Sequence, residues 1–403
     1  MYKLLLIKRF IEDIFIFPFI MLGRLVAAIY PLKKEYRVFF FFPFYHTGGA
    51  EKVHAQIASA TGGTDCIILF TRRSADDRFL NDFRKSGCEI KDISKFTDSK
   101  WLYFLNLFYR GMITGYINNQ QKKPIVFNGQ CNFGYKISPW IRKAVTQIEL
   151  IHSFNTFSLI RIPFLPFISK TVMISRKRIE NHKKQYKRYK IPDSFAARIQ
   201  YIPNAITLPQ HVSHKSDNDL TVLYVGRGTE EKRVEIIAEI AHELRSDNTE
   251  FIKFEMLGDV TPPIDKKAYP FIKLYGNIND ERLICEIYAR AHVLILTSTT
   301  EGFPMVIMEA MAHGCAILST SVGDISYHIK DGENGFLFSN TNDDVAIIEE
   351  AKEKLIWLKN HRTELKKIEE NNINYANHNF GIERFNKDYQ DLFSSVKTKI
   401  ETA

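Results

Sequence analysis

Two glutamates eight positions apart, Glu301 and Glu309 in "TEGFPMVIMEAMAHG", are the first residues here that could do chemistry. Glu301 lies in a loop beyond the apolar run "HVLILTS", and Glu309 falls inside an otherwise apolar helical pattern where a buried residue is expected. A carboxylate taken out of water needs partners, and a sugar diol suits it because one carboxylate accepts two hydrogen bonds. An internal ion pair or a capping bond would serve Glu309 equally. Arg227 and Lys232, in "YVGRGTEEKR", follow a strand pattern at the mouth of a helix, where free N–H groups and the helix dipole favour an anion such as a diphosphate. They could also be solvated charges, since "GRG" lacks the third glycine of a dinucleotide fingerprint. In the first half, Gly48 and Gly49 separate a strand from a helix, either to let backbone N–H groups approach a phosphate or acceptor or to make a tight turn. His152 ends the strand pattern "TQIELIHS", placed for a substrate hydroxyl, a developing charge or a structural bond.

Positioning these residues requires an α/β architecture. "EYRVFFFFPF" (35–44) has the unbroken apolar character of a buried parallel strand, and "TDCIILF", "KPIVFNG", "TQIELIHS" and "TVMISR" read as further strands separated by helices. After the polar stretch "PQHVSHKSDND" (209–219), taken as a linker, the alternation restarts with "LTVLYVG", "FIKFEMLG", "FIKLYG", "HVLILTS" and "CAILST". Two doubly wound, Rossmann-like domains are expected, at 35–208 and 209–380, with a membrane-associating segment at 1–34 and a helix at 381–403. Ligands of such sheets bind beyond the carboxyl ends of the strands, so the loops after Phe44, Val225, Tyr275 and Ser298 are expected to face one another across a cleft.

The five cysteines of this 403-residue chain form no C-x-x-C pair, so neither a zinc site nor a disulfide framework is expected and a reducing, cytoplasmic setting fits. The net charge of +9 divides into +19 for residues 1–200 and −10 for the rest. A basic half attracts nucleic acid or the anionic inner face of a cell membrane. "IFIFPFIMLGRLVAAIYPL" (14–32) favours the membrane, although Arg24 and Pro18 argue against a spanning helix. Arg9, Asp13 and Arg24 share a sector of about 60° at a helical pitch, as in a helix lying along the interface. "RKRIENHKKQYKRYK" (176–190), with eight basic residues against one acidic, reads with the apolar "FNTFSLIRIPFLPFIS" (154–169) as a basic helix and membrane-facing loop. Peripheral attachment to an anionic membrane is expected, and nucleic acid is not.

Taken in order, "TGGAEK", "YIPNAI", "VGRGTEEKR", "TSTTEGFPMVIMEAMAHG" with its Glu-x7-Glu spacing, and "DGENGFLF" resemble the retaining glycosyltransferases of family 4 along most of the chain from about residue 36. The resemblance implies the GT-B fold, and a donor diphosphate held by Arg227 and Lys232. It further implies that Glu309 binds the ribose hydroxyls and Glu301 those of the transferred sugar. The backbone of Gly302, Phe303 and Pro304 would complete the clamp, Gly276, Asn277 and Ile278 would seat the nucleobase, and His152 would be the cleft histidine. Two departures, "MLGDVTPP" and Asp324 with Tyr327 in "SVGDISYHI", bear on local loops. The implied reaction moves a sugar from a UDP- or GDP-sugar to a lipid-linked or cell-envelope glycan, as in lipopolysaccharide or capsule synthesis. No cofactor is expected, and no metal, on the reading that the chain carries no Asp-x-Asp triad of the kind that holds the metal in single-domain glycosyltransferases. A nucleotide-sugar epimerase on the same scaffold and a non-catalytic membrane- or nucleic-acid-binding protein are the alternatives.

Overall fold

The computed structural model describes residues 1–46, 48–99, 101–154, 157–211, 215–246, 251–261 and 263–401. The chain divides into two compact units, Met1–Pro203 with Glu383–Ala403, and Asn204–Ile382. Residues 1–34 are thus an integral part of unit 1. The boundary falls at Pro203 and not in the stretch 209–219, because Ile206 is buried and its N–H bonds to Phe380 O at 2.9 Å within unit 2.

Unit 1 is built on a parallel sheet of β1 (Val38–Phe42), β2 (Cys66–Phe70), β3 (Glu89–Asp92), β4 (Ile125–Asn128), β5 (Thr146–Ile151), β6 (Lys170–Met173) and β7 (Ile199–Tyr201), in the order β3-β2-β1-β4-β5-β6-β7. The valine and four phenylalanines of β1 are all buried, which a central strand covered on both faces requires. The polar β3 and the three-residue β7 sit at the edges and carry no apolar run, so the sequence pattern did not reveal them. Four helices of this unit matter below: α1 (Tyr2–Ile29), α2 (Gly49–Thr61), α3 (Tyr103–Asn118) and α4 (Arg176–Tyr189).

α1 crosses α3 with their backbones in contact. A Cβ added to Gly23 would stand 2.2 Å from Phe108 O, and one added to Gly111 would stand 2.2 Å from Ile20 O. The polar sector of α1 faces inward, opposite to the orientation expected of an interfacial helix. Arg9 pairs with Asp13 at 3.5 Å and donates to Pro163 O at 3.3 Å, while Arg24 donates to Trp140 O. In the segment 154–169, read as a membrane-facing loop, Ile162, Phe164, Leu165 and Ile168 are buried while Phe154, Leu159 and Ile160 are exposed, and residues 155 and 156 lie outside the described residues.

Unit 2 repeats the design with β8 (Leu220–Val225), β9 (Ile252–Leu257), β10 (Lys273–Gly276), β11 (Val293–Leu296), β12 (Ala316–Thr320) and β13 (Gly335–Phe338), ordered β10-β9-β8-β11-β12-β13. β13 comes from "DGENGFLF", read from sequence as a loop. Helices α5 (Val234–Ser246), α6 (Glu281–Arg290) and α7 (Met305–Ala312) follow β8, β10 and β11. In each sheet the strand order reverses beside the first strand, between β1 and β4 and between β8 and β11, and such reversals open a crevice at the carboxyl edge. The last helix, α8 (Ile382–Glu401), packs Phe393 against Phe40 and Phe127 of unit 1, with ring centroids 6.1 and 5.7 Å apart.

One buried ion pair organises the far side of the first sheet. Glu149, on β5, is fully buried beside the equally buried Arg161, whose Nε donates to Glu149 Oε2 at 3.0 Å and whose Nη2 donates to Oε1. Thr171 of β6 donates to Oε1 at 2.6 Å, Tyr135 donates to Oε2 at 2.8 Å, and Arg161 Nη1 donates to Tyr186 of α4 at 2.9 Å. Burial opposes the charge on Glu149, yet Arg161 and these hydroxyl donors hold its carboxyl below the usual carboxylate range. Such a pair is costly to break and less costly to replace whole. Arg161→Leu is therefore expected to destabilise unit 1 by about 3–5 kcal/mol, and Glu149→Leu combined with Arg161→Leu by less. Urea unfolding followed by tryptophan fluorescence checks this, and equal losses in the two variants would remove the pair from its organising role.

Candidate functional site

The loop beyond β8 is fastened to the loops beyond β9 and β11. Gly226 (φ 156°) and Gly258 (φ 120°) sit so close that a Cβ on Gly258 would lie 2.0 Å from Gly226 O, which makes glycine obligatory there. A single 3-10 turn, Glu230–Lys232, and a left-handed Arg233 (φ 48°) then precede α5, so Lys232 lies in the turn before the helix rather than in its first turn. Arg233 donates to Thr297 O at 2.7 Å and to Thr341 O at 2.9 Å, and pairs with Asp344 at 2.9 Å. Thr297 Oγ1 returns hydrogen bonds to the carbonyls of Lys232 and Arg233, both at 2.9 Å, and Thr299 N–H donates to Glu231 O at 2.8 Å.

This bracing brings two of the sequence candidates together. Lys232 Nζ is 2.5 Å from Glu301 Oε1, which also accepts from Ser298 Oγ at 2.8 Å. The pair stands at the strand-order reversal between β8 and β11. Arg227 is exposed at the same loop, its carbonyl fixed by Tyr224 OH at 2.8 Å. Gly302 faces open space, and its carbonyl accepts the Asp324 N–H at 2.7 Å. Gly323, at φ 61°, lets that approach happen, because a Cβ there would lie 2.2 Å from Gly302 O. The departure at Asp324 is thus a loop-holding position, and Tyr327 is exposed beside it.

Phe303 is buried and stacks on His328 at 4.0 Å, so its side chain anchors the loop and leaves only its backbone for a ligand. Pro304 caps α7 from outside, and the helix begins at Met305. Glu309 is half-buried at the rim of α7 rather than within the core, and its Oε2 accepts from Tyr288 OH at 2.9 Å. Tyr288 is fully buried and stacks on His313 at 5.4 Å, so it presents Glu309 in a fixed orientation. Gly276 and Asn277 are exposed and Ile278 is half-buried against the core, at the end of edge strand β10.

One Asp-x-Asp spacing does exist in the chain, Asp217 and Asp219, but it lies before β8, at the amino edge of the sheet. Both carboxylates face lysines there, Asp217 with Lys366 at 3.2 Å and Asp219 with Lys253 at 2.5 Å.

In unit 1, Gly48 leaves room for a side chain the sequence did not place there. The Glu51 carboxylate folds back over the start of α2, and a Cβ on Gly48 would meet its Oε2 at 2.1 Å. Burial raises the Glu51 carboxyl above its ordinary value, with His46 at 4.0 Å acting in the opposite direction. Gly49 faces open space. His152 Nε2 lies 2.9 Å from Nε2 of His54 on α2, which stacks on Phe42 at 4.5 Å. Gly129 makes room for this histidine, since a Cβ there would stand 2.7 Å from His54 Nε2. Gln130, in the left-handed region at φ 58°, accepts the His152 N–H at 2.9 Å and donates to Ser153 Oγ at 3.2 Å. A non-glycine residue held there marks a constrained loop. His54, Gln130 and Tyr288 escaped the sequence reading because each acts through a partner distant in the chain, whereas Glu51 and Ser298 act on near neighbours through loop geometry that spacing alone does not show.

Burial pushes His152 down to about 4, and burial with the neighbouring His152 pushes His54 well below its ordinary value. Both rings are neutral at physiological pH, so one Nε2 donates to the other. A histidine whose folded pKa is depressed loses stability as pH falls from about 6.5 towards about 4, because the unfolded chain takes up the proton first. We expect His152→Gln to narrow the difference in urea midpoint between about pH 7 and about pH 5. An unchanged difference would mean that the histidine pair does not set the acid sensitivity of unit 1.

Comparisons with known proteins bear on this geometry. Residues 219–356 match the family described as Glycosyl transferases group 1, a range that holds Arg227, Lys232, Gly276 to Ile278, Glu301 to Pro304 and Glu309 but not Gly48, Gly49 or His152. A stretch of 104 residues is 32% identical to trehalose synthase of Pyrococcus horikoshii, covering 26% of this chain and 23% of that protein. The chain spans between about a quarter and two-fifths of the length of the first curated relatives it matches. Among solved structures, Anabaena Alr3699/HepE in complex with UDP and glucose superposes with a TM-score of 0.69 at 16% identity, over 90% of this chain and all of that one. The apo form of the lipopolysaccharide outer core galactosyltransferase WaaB superposes with a TM-score of 0.66 at 18% identity, over 89% of this chain and 99% of that one. The chain has the GT-B fold of two Rossmann-like units, and its residues 219–356 match the family described as Glycosyl transferases group 1.

Proposed function

We propose that the protein is a retaining, metal-independent glycosyltransferase that moves a sugar from a UDP- or GDP-sugar to a lipid-linked or cell-envelope glycan. The observation that carries this reading is the Lys232–Glu301 contact at the strand-order reversal of unit 2. An ammonium and a carboxylate held side by side suit a donor whose diphosphate and sugar are adjacent. Lys232 and the exposed Arg227 neutralise the diphosphate, Glu301 accepts from hydroxyls of the sugar, and Glu309, oriented by Tyr288, accepts from the ribose diol. Alr3699/HepE, which was solved with UDP and glucose, supports a uridine donor, and the name of WaaB supports an envelope acceptor.

In the transfer, the bond from the anomeric carbon to the phosphate oxygen breaks while a bond to the acceptor oxygen forms on the same face. The acceptor proton passes to the departing phosphate oxygen, and Arg227 and Lys232 stabilise the charge left on the diphosphate. His152, neutral at physiological pH, hydrogen-bonds a substrate hydroxyl without adding positive charge.

Donor binding tests the reading. At a hundredfold excess over Kd, the correct nucleotide sugar is expected to raise Tm by about 5–10 °C. Lys232→Ala and Glu309→Ala are each expected to weaken binding by about ten- to a hundredfold. A screen of UDP-, GDP- and ADP-sugars by thermal shift and slow donor hydrolysis checks both, and no response to any of them would sink the transferase reading.

A further inference from the structure

We propose that α1 and the start of α3 form a single surface that inserts into one leaflet of an anionic membrane without crossing it. α1 has two apolar faces. One packs through Ile20, Gly23 and Ala27 onto α3, and the other runs outward from Leu4 through Ile11, Phe15 and Leu22 to Ile29 over about 40 Å. Phe15 is 74% exposed at its centre, while the arginines and aspartate of the helix are turned into the protein. In water the opposite arrangement is favoured, and an apolar ridge of this length marks an interaction site.

The surface does not end with the helix. Trp101, 97% exposed, precedes α3, and Phe104 on α3 meets Phe19 of α1 at a ring-centroid distance of 5.7 Å. Tryptophan beside an apolar ridge is the arrangement favoured at the boundary between headgroups and acyl chains. No helix among the described residues is long and apolar enough to cross a membrane, which fits a helix lying flat.

Charge selects lipid over a second copy of the chain. The amino end of α1 packs into a cluster of Tyr2, Leu5 and Leu6 with Tyr186 and Tyr189 of α4. On α4, Lys183, Lys184, Lys187 and Arg188 are exposed. A second copy of the chain brings the same excess of positive charge in its first half, whereas an anionic leaflet complements this basic helix. Residues 1–30 therefore act as a fixed part of unit 1 and not as a detachable tether, because Gly23 and Gly111 lock α1 to α3 by backbone contact.

This inference deepens the proposed acceptor class and rests on that reading only for its purpose. Its test needs no sugar. The full-length protein is mixed with phosphatidylcholine vesicles with or without phosphatidylglycerol, and the fraction that sediments is measured together with the emission of Trp101. We expect binding that rises with phosphatidylglycerol, and a blue shift that Trp101→Phe removes. Ile11→Asp combined with Leu22→Asp, both at exposed positions, is expected to reduce binding by about tenfold or more while leaving the nucleotide-induced rise in Tm intact. Equal sedimentation of that variant and the native chain would overturn the proposal. So would light scattering showing a dimer that the two substitutions dissolve. Vesicle binding without a response to any nucleotide sugar would sink the transferase reading and leave the surface standing.

Discussion

The buried pair of Glu149 and Arg161 is the constraint on which unit 1 depends. It joins β5, which presents His152 three residues later, to β6 through Thr171 and to α4 through Tyr186. Arg161 also introduces the 3-10 segment Ile162–Phe167, whose Pro163 carbonyl receives Arg9 of α1. A low-dielectric ion pair tolerates little displacement, because separating its charges there is far costlier than in water. The strand that leads to His152, the basic helix and the apolar ridge are therefore held to a common reference. Chemistry on an acceptor carried in a membrane would need that fixed relation between ridge and histidine.

Unit 2 achieves the same rigidity by another route. The Lys232–Glu301 contact is assembled by hydrogen bonds to backbone carbonyls, with Thr297 and Arg233 tying one loop to the other and the Gly226–Gly258 approach setting the path of the chain. Without a ligand, the two charges satisfy each other. A nucleotide sugar would have to exchange that partner for its own phosphate and hydroxyls, so the gain on binding is a difference between two sets of charged bonds.

Much of the architecture was legible because central parallel strands are unbroken apolar runs, as in "VFFFF" and "VLIL". The edge strands β3 and β7 were not, since a strand with one free edge tolerates Glu89 and Lys91. The spacing of Glu301 and Glu309 pointed to a site, but it could not reveal that Glu309 lies at the rim beside Tyr288, because that partner arrives from α6. Nor could helical phase decide which side of α1 faces the protein. Phase shows that Arg9, Asp13 and Arg24 share a side, and only the carbonyls of Pro163 and Trp140 show where that side points.

The close crossing of α1 and α3 also bears on how the protein could be handled. A biochemist seeking a more soluble version would trim an apolar leader of some thirty residues. Here that cut would unroof a trench floored by the bare backbone of Gly111 and Gly115, and would take from the Trp140 carbonyl the Arg24 guanidinium, which donates to it beside Asn118. Replacing outward apolar residues on α1 with polar ones would spare that seam, so solubility is better sought by repainting the ridge than by removing it.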